Sequence, residues 1–160
     1  MSHALIPGSF DPMTLGHLDV IKRARVYYDK ITVAVLINPN KQYLCTLEER
    51  EMLARMTLAA YPDVEILSDT GMLVDVFDRV GADVILKGVR NEFDRAYEDD
   101  MAKANLALNP RAKTVFLEAA DDFDDVSSTR VREMLRKGEA LDGLLHPDVI
   151  RYFEEKIENA

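Results

Sequence analysis

Ser9, Asp11, Thr14 and His17 lie close together in Pro7-Gly8-Ser9-Phe10-Asp11-Pro12-Met13-Thr14-Leu15-Gly16-His17. The run follows a short apolar stretch, Ala4-Leu5-Ile6, and precedes an amphipathic one, Leu18 to Tyr28. Glycine lets a backbone approach an anion closely, and a helix start offers unpaired N–H groups and a favourable dipole. The chemistry suggested is therefore phosphate binding. Asp11, a carboxylate before proline, reads as a brace that accepts backbone N–H groups. His17 taken alone divides evenly between a helix cap and a ligand, and the surrounding turn favours contact with a phosphate.

Further groups suited to anions recur downstream. Lys41 lies in Asn38-Pro39-Asn40-Lys41, and Lys87-Gly88-Val89-Arg90 sets two cations around a glycine beyond an apolar run. Such a pair can face a polyphosphate with both head groups and an open backbone. Val126-Ser127-Ser128-Thr129-Arg130 gathers three hydroxyls at a helix start, with Ser128 as the expected cap. Each has a plainer reading: a surface lysine, a capping sequence, or, for Tyr97-Glu98, ordinary helix packing. Gly-x-Gly-x-x-Gly and Gly-x-x-x-x-Gly-Lys-Ser/Thr are both missing, which excludes a dehydrogenase fingerprint and a P-loop. No nucleophile–base pair is visible, since Cys45 has no partner nearby in sequence. His3 reads as a surface residue of the first strand, and His146, before Pro147, as a helix cap.

These residues need elements to position them. Ala4–Ile6, Ile31–Ile37, Val64–Leu67, Val84–Leu86 and Thr114–Leu117 read as strands. Helical patterns occupy about 16–28, 47–60, 72–80, 92–108, 128–137 and 147–157. Thr46-Leu47-Glu48-Glu49 is a capping box, Gly138 suits a helix end, and Pro147 suits a first helical position. The alternation predicts an α/β fold: a doubly wound five-stranded parallel sheet with C-terminal helices, in one domain spanning 1–160. Ligands of such sheets lie beyond the carboxyl ends of the strands. Five turns should meet there: Ser9 to His17, Asn38 to Thr46, Ser68 to Met72, Lys87 to Arg90, and Glu118 to Thr129.

Composition narrows the classes. A net charge of −9 over 160 residues argues against a protein that coats nucleic acid, but not against a cleft that focuses a few cations. No apolar run is long enough to span a membrane, and no secretory signal is visible, so a cytoplasmic protein is expected. One cysteine excludes an internal disulfide and a multi-cysteine metal site. The acidic run Asp121-Asp122-Phe123-Asp124-Asp125 reads as a solvated loop.

With these residues assembled, the chain resembles the nucleotidyltransferase superfamily, and within it the bacterial phosphopantetheine adenylyltransferase family. The first turn with Thr14, Gly16, His17 and Asp19 carries the superfamily likeness. Asn38 to Lys41, Thr46 to Arg50, Gly88-Val89-Arg90, Tyr97-Glu98 and Val126 to Thr129 carry the narrower one. The resemblance implies a Rossmann-like fold and transfer of AMP from ATP to 4′-phosphopantetheine by direct in-line attack. It implies His17, Lys41 and Arg90 as catalytic residues, with His17 on the α-phosphate and Lys41 on the attacking phosphate. It implies an ATP site of Ser9, Phe10, His17, Gly88, Val89, Arg90, Glu98, Phe123, Asp124, Asp125, Val126, Ser127, Ser128 and Thr129. Ser9, Lys41, Leu73 and Lys87 would hold the acceptor, with Leu73 along the pantetheine arm. Mg²⁺ would ride on the ATP phosphates, with no protein metal site. A homohexamer and feedback inhibition by coenzyme A are also implied. The family usually has Arg where Lys87 stands, and a lysine keeps the charge without the planar fork. The rival readings are a related transferase for another nucleotide or acceptor, such as a cytidylyltransferase or a nicotinamide mononucleotide adenylyltransferase, and a non-catalytic nucleotide-binding protein.

Overall fold

The computed structural model describes residues 2–120, 123 and 126–159. The described residues form, in order, β1 (His3–Gly8), α1 (Leu15–Tyr27), β2 (Lys30–Val35), α2 (Leu47–Thr57), β3 (Glu65–Ser68), α3 (Leu73–Val80), β4 (Val84–Val89), α4 (Glu92–Leu108), β5 (Thr114–Glu118), α5 (Ser128–Lys137) and α6 (Pro147–Glu158), strands and helices alternating as far as α5. The strands form one parallel sheet in the order β3-β2-β1-β4-β5. The chain winds outward from β1 through β2 to β3, then returns to the other side of β1 for β4 and β5. The switch point is thus between β1 and β4, where a crevice is expected.

Strand alternation covers both faces of the sheet. Ala4 and Ile6 of β1 pack with Val20, Ile21 and Ala24 of α1 on one face. Leu5 packs with Val74, Val76 and Phe77 of α3 on the other. A third cluster joins α2, α5 and α6 through Leu53, Val131, Val149 and Phe153.

The strand ends depart from the apolar runs in a way that shapes the crevice. β1 continues through Pro7 and Gly8, pairing with β2 as far as Gly8 opposite Val35, whereas its ladder with β4 stops at Leu5 opposite Ile85. Gly8 C=O accepts the Leu36 N–H, so alternation turns Pro7 toward β4. The donor that proline lacks therefore falls where the ladder has already ended. β1 and β4 diverge beyond that point. β4 in turn runs on to Val89, so Lys87 and Gly88 belong to the strand rather than to a turn after it.

Caps explain several helix limits. Thr46 and Glu49 exchange side-chain-to-backbone bonds as a capping box, His146 caps α6 ahead of Pro147, and Gly138 ends α5 in the left-handed region. The cap of α5 is Ser127, not Ser128: the Ser127 Oγ accepts the Arg130 N–H. His3 is buried rather than on the surface, with its Nε2 2.7 Å from the Thr32 hydroxyl.

Candidate active site

A cleft of about 280 Å³ opens at the β1/β4 switch point. It is lined from the Ser9 to His17 turn, the Lys41 to Tyr43 loop, the end of β4, the first turns of α4, and the start of α5. Four of the five expected turns meet there. The Ser68 to Met72 turn contributes nothing to the lining.

The first turn is built around Phe10. Its φ of 48° is in the left-handed region, and the buried ring lies edge-on to His17 with centroids 5.0 Å apart. A Cβ on Gly8 would sit 2.8 Å from Phe10 Cζ. A side chain at position 8 would have to displace the buried Phe10 ring that covers it. Asp11, 1% exposed, does brace a backbone, but that of the neighbouring loop: its carboxylate accepts the Leu44 and Cys45 N–H groups at 2.8 and 2.9 Å.

His17 occupies the third position of α1 and completes a capping box with Thr14. The Thr14 N–H donates to His17 Nδ1 at 2.9 Å, and the His17 N–H donates back to Thr14 Oγ1 at 3.3 Å. Burial, then the cations Arg90 and Lys87, lower the imidazole from 6.5 to about 4. The ring is neutral near pH 7, and because Nδ1 is an acceptor the proton resides on Nε2. The helix start itself offers less than its sequence suggests: the Leu15 N–H is already bonded to Leu144 C=O, and the His17 N–H to Thr14. The imidazole N–H, more than the helix amides, is what this turn presents to an anion.

Cations surround it. Lys41 is exposed at the rim, and among the described residues no carboxylate pairs with it. Lys87 lies 3.3 Å from Glu98, and Arg90 Nε 3.8 Å from Asp94, whose carboxylate also accepts the Arg90 N–H at 3.0 Å. Gly88 faces the cleft under Val20, whose Cγ2 would be 2.8 Å from an added Cβ. Ser9, Phe10, Glu98, Phe123, Val126, Ser127, Ser128 and Thr129 all line the cleft. Ser128 serves there as a tie, its hydroxyl donating to Pro12 C=O at 2.7 Å.

Two expected site residues fall elsewhere. Val89 is buried and lines no part of the cleft; its carbonyl accepts the Ala119 N–H. Leu73 opens α3 beside a smaller adjoining pocket, which it shares with Met101, Ala102, Asn105 and Thr114, and with Lys87 and Glu98 of the main cleft. Asp124 and Asp125 lie outside the described residues. Other lining residues had no flag in sequence. Tyr43 and Arg132 stand in ordinary polar stretches, yet Tyr43 Oη is 3.1 Å from Ser9 Oγ, and Arg132 Nη1 donates to Asp11 C=O at 2.9 Å. Asp94, three residues from its cap Asn91, could have been found from its spacing to Arg90.

The site suits charge stabilisation rather than covalent catalysis. Cys45 is buried, and burial raises its thiol to about 12, so it supplies no thiolate. Among the described residues no cluster of three or more His, Cys, Asp or Glu could hold a metal ion.

Comparison with known proteins places this geometry. A family model described as cytidylyltransferase-like matches residues 5–134. The chain is 39% identical over 159 residues to a phosphopantetheine adenylyltransferase of Clostridium tetani, covering 99% of both. It is 41% identical over 156 residues to one of Symbiobacterium thermophilum, covering 98% of this chain and 96% of that one. The chain belongs to the phosphopantetheine adenylyltransferase family. A relative from Limosilactobacillus reuteri, 35% identical over 157 residues, covers 98% of this chain and 91% of its own. Rossmann-like architecture and membership of the nucleotidyltransferases accord with the sheet order and switch point already described.

The shifted groups predict a two-stage acid response. For His17 the folded value lies below the unfolded one, so the unfolded chain binds the extra proton between 6.5 and about 4. Stability from this ring is complete above 6.5 and is lost as pH falls to about 4. Glu49 is lowered from 4.5 to about 2, chiefly by the Lys156 ammonium and then by the Tyr152 hydroxyl on α6. Its stabilisation is present above 4.5 and is lost toward about 2. Melting temperatures across this range should lose the upper stage in His17→Gln and the lower stage in Glu49→Gln. A His17→Gln profile as steep as wild type between 6.5 and about 4 would contradict the assignment.

Proposed function

We propose that this protein transfers AMP from ATP to 4′-phosphopantetheine, giving dephospho-coenzyme A and pyrophosphate. The observation that carries the reading is a neutral His17, tied back through Nδ1, beside a cleft that also holds Lys41, Lys87 and Arg90. The acceptor phosphate oxygen forms a bond to the α-phosphorus as the bond to the pyrophosphate oxygen breaks. Two polyanions must be brought together, so the residues act by positioning and by offsetting charge. His17 Nε2–H donates to the α-phosphate, where negative charge grows in the transition state. Lys41 orients the attacking phosphate, assisted by Ser9 and Lys87. Phe10, Gly88, Arg90 and Glu98 hold the nucleotide, with Val89 supporting them from within the sheet.

Phe123, Val126 and the Ser127-Ser128-Thr129 segment cradle the triphosphate. Mg²⁺ arrives as part of the ATP substrate; Asp94 and Glu98, beside cations, do not form a cage for it. The pantetheine arm extends into the adjoining pocket beside Leu73 and Asn105, which shares Lys87 and Glu98 with the cleft. The reading also takes the protein as cytoplasmic, with coenzyme A as a feedback inhibitor and a homohexamer as the assembly. Among the described residues no helix is long and apolar enough to cross a membrane. Exposed Phe93, Tyr97, Met101 and Leu108 on α4 provide apolar surface for subunit contact.

A substrate panel tests the reading. With Mg²⁺, the pair ATP and 4′-phosphopantetheine should give dephospho-coenzyme A, identified by mass. CTP in place of ATP, or nicotinamide mononucleotide as acceptor, should give at least about a hundredfold less product. Faster turnover with either replacement would reject the assignment.

A further inference from the structure

Among the described residues the largest fully buried side chain belongs to a cation, Arg50 of α2, at 1% exposure. Among the described residues no carboxylate forms an ion pair with it, and its Nε has no hydrogen-bond partner. A buried guanidinium without a counter-charge is costly, so it must be held by what surrounds it. Its Nη1 donates to two carbonyls, Ser9 and Leu36, each at 2.8 Å. These carbonyls follow the ends of the adjacent strands β1 and β2. The guanidinium carbon also lies 3.9 Å from the centre of the Tyr43 ring. Tyr43 Oη, in turn, accepts the Asn38 N–H at 2.6 Å and lies 3.1 Å from Ser9 Oγ.

We infer that Arg50 is a positioning residue for the proposed adenylyl transfer, clamping the Ser9 turn to the Asn38–Lys41 loop through the two carbonyls and the Tyr43 ring. The inference rests on the reading given under Proposed function. Ser9 and Lys41 sit on separate segments that no strand pairing joins beyond Val35. The Asp11 carboxylate holds the far end of the Lys41 loop at Leu44 and Cys45, and Arg50 and Tyr43 set the spacing at the near end, and with it the seat of the attacking phosphate. Of the nucleotide's residues Phe10 shares the Ser9 turn, whereas Arg90, just after β4, and Ser127 to Thr129, at the start of α5, lie outside the clamp. Loosening the clamp should therefore harm the acceptor side, where both Ser9 and Lys41 act, more than ATP, which keeps its contacts outside the clamp. Lysine at position 50 would keep the charge but lacks the planar guanidinium that lies on the Tyr43 ring while its Nη1 reaches both carbonyls.

The test uses Arg50→Lys and Tyr43→Phe, the second retaining the ring under the guanidinium while removing the hydroxyl link. Steady-state kinetics should show kcat/KM for 4′-phosphopantetheine reduced about tenfold or more in each, with KM for ATP within about twofold of wild type. The double variant should lose less than the product of the two single losses, because both act through one clamp. Amide exchange of the wild type and Arg50→Lys supplies a readout independent of turnover. Exchange over residues 38–41 should accelerate at least about tenfold in Arg50→Lys, with α6 unchanged. A purely structural role would lower the amount of folded enzyme, reducing kcat with both KM values unchanged; that result, or unchanged exchange over 38–41, overturns the inference. Should Arg50→Lys fail to fold, Tyr43→Phe decides by the same kinetic split and the same exchange window. Failure of wild-type turnover would count against the proposed reaction, while the exchange measurement would still decide the clamp.

Discussion

Replacing His17 by glutamine is expected to reduce kcat by about 10²–10³, with KM for ATP within about threefold of wild type. The magnitude follows from losing one donor aimed at charge that develops only in the transition state, worth about 3–4 kcal/mol. Glutamine is the informative substitution because His17 also has a structural duty: its Nδ1 is the acceptor for the buried Thr14 N–H. A glutamine at this third helical position can accept the same N–H as the second half of a capping box. Stability is then kept while the imidazole donor is lost. His17→Ala removes both, and should add a destabilisation of about 1–2 kcal/mol from the orphaned Thr14 N–H. Equal kcat in wild type and His17→Gln would assign the residue to capping alone. Equal stability in His17→Ala and wild type would show that the cap contributes nothing.

Lys41→Ala should raise KM for the acceptor by about 10–100-fold, the worth of one charge-assisted hydrogen bond of about 1.5–3 kcal/mol. KM for ATP should change little. The substitution is clean, since Lys41 is exposed and among the described residues its ammonium pairs with no carboxylate. Its removal leaves no buried group unsatisfied, and the melting temperature should stay near that of wild type. Lys87 offers no such clarity. Its ammonium is shared with Glu98 at 3.3 Å, so truncation would free a half-buried carboxylate within the cleft as well as remove a cation. Unchanged acceptor kinetics in Lys41→Ala would remove that residue from the site.

The architecture was largely legible because its signals are local. Short β-branched runs separated by amphipathic segments produced the five strands and six helices of the described residues, and the Thr46–Glu49 box sits where its spacing requires. His17 was also legible, since a glycine- and proline-rich turn ahead of a histidine is an uncommon local pattern. What escaped depends on contacts distant in sequence. The role of Gly8 becomes visible only once the Phe10 ring is seen above it, and Asp11 bonds to Leu44 and Cys45, more than thirty residues away. Arg132 and Tyr43 stand in ordinary polar stretches, and Arg50 figures in the sequence only as the end of the Thr46 to Arg50 stretch, with no role of its own. The sheet brings each to the ends of β1 and β2, where backbone carbonyls and hydroxyls need partners.

The choice between Ser127 and Ser128 as the cap of α5 turned on a single residue of register. Ser128 is instead drawn to Pro12 C=O of the first turn. The resemblance implied Val89 at the nucleotide, along with Gly88 and Arg90. Strand alternation sends it the other way, into the protein, while its two neighbours line the cleft. Leu73 is separated from the main cleft by the Lys87–Glu98 pair, which lines both pockets.

The central claim is direct transfer of AMP in the cleft beside His17, and acceptor-dependent pyrophosphate release tests it most directly. Enzyme mixed with ATP and Mg²⁺ alone should release no pyrophosphate, not even one equivalent per site. Addition of 4′-phosphopantetheine should start release that matches dephospho-coenzyme A mole for mole, and His17→Gln should abolish most of it. A burst of pyrophosphate before the acceptor is added would reveal an adenylylated enzyme and contradict the account, as would no release after its addition.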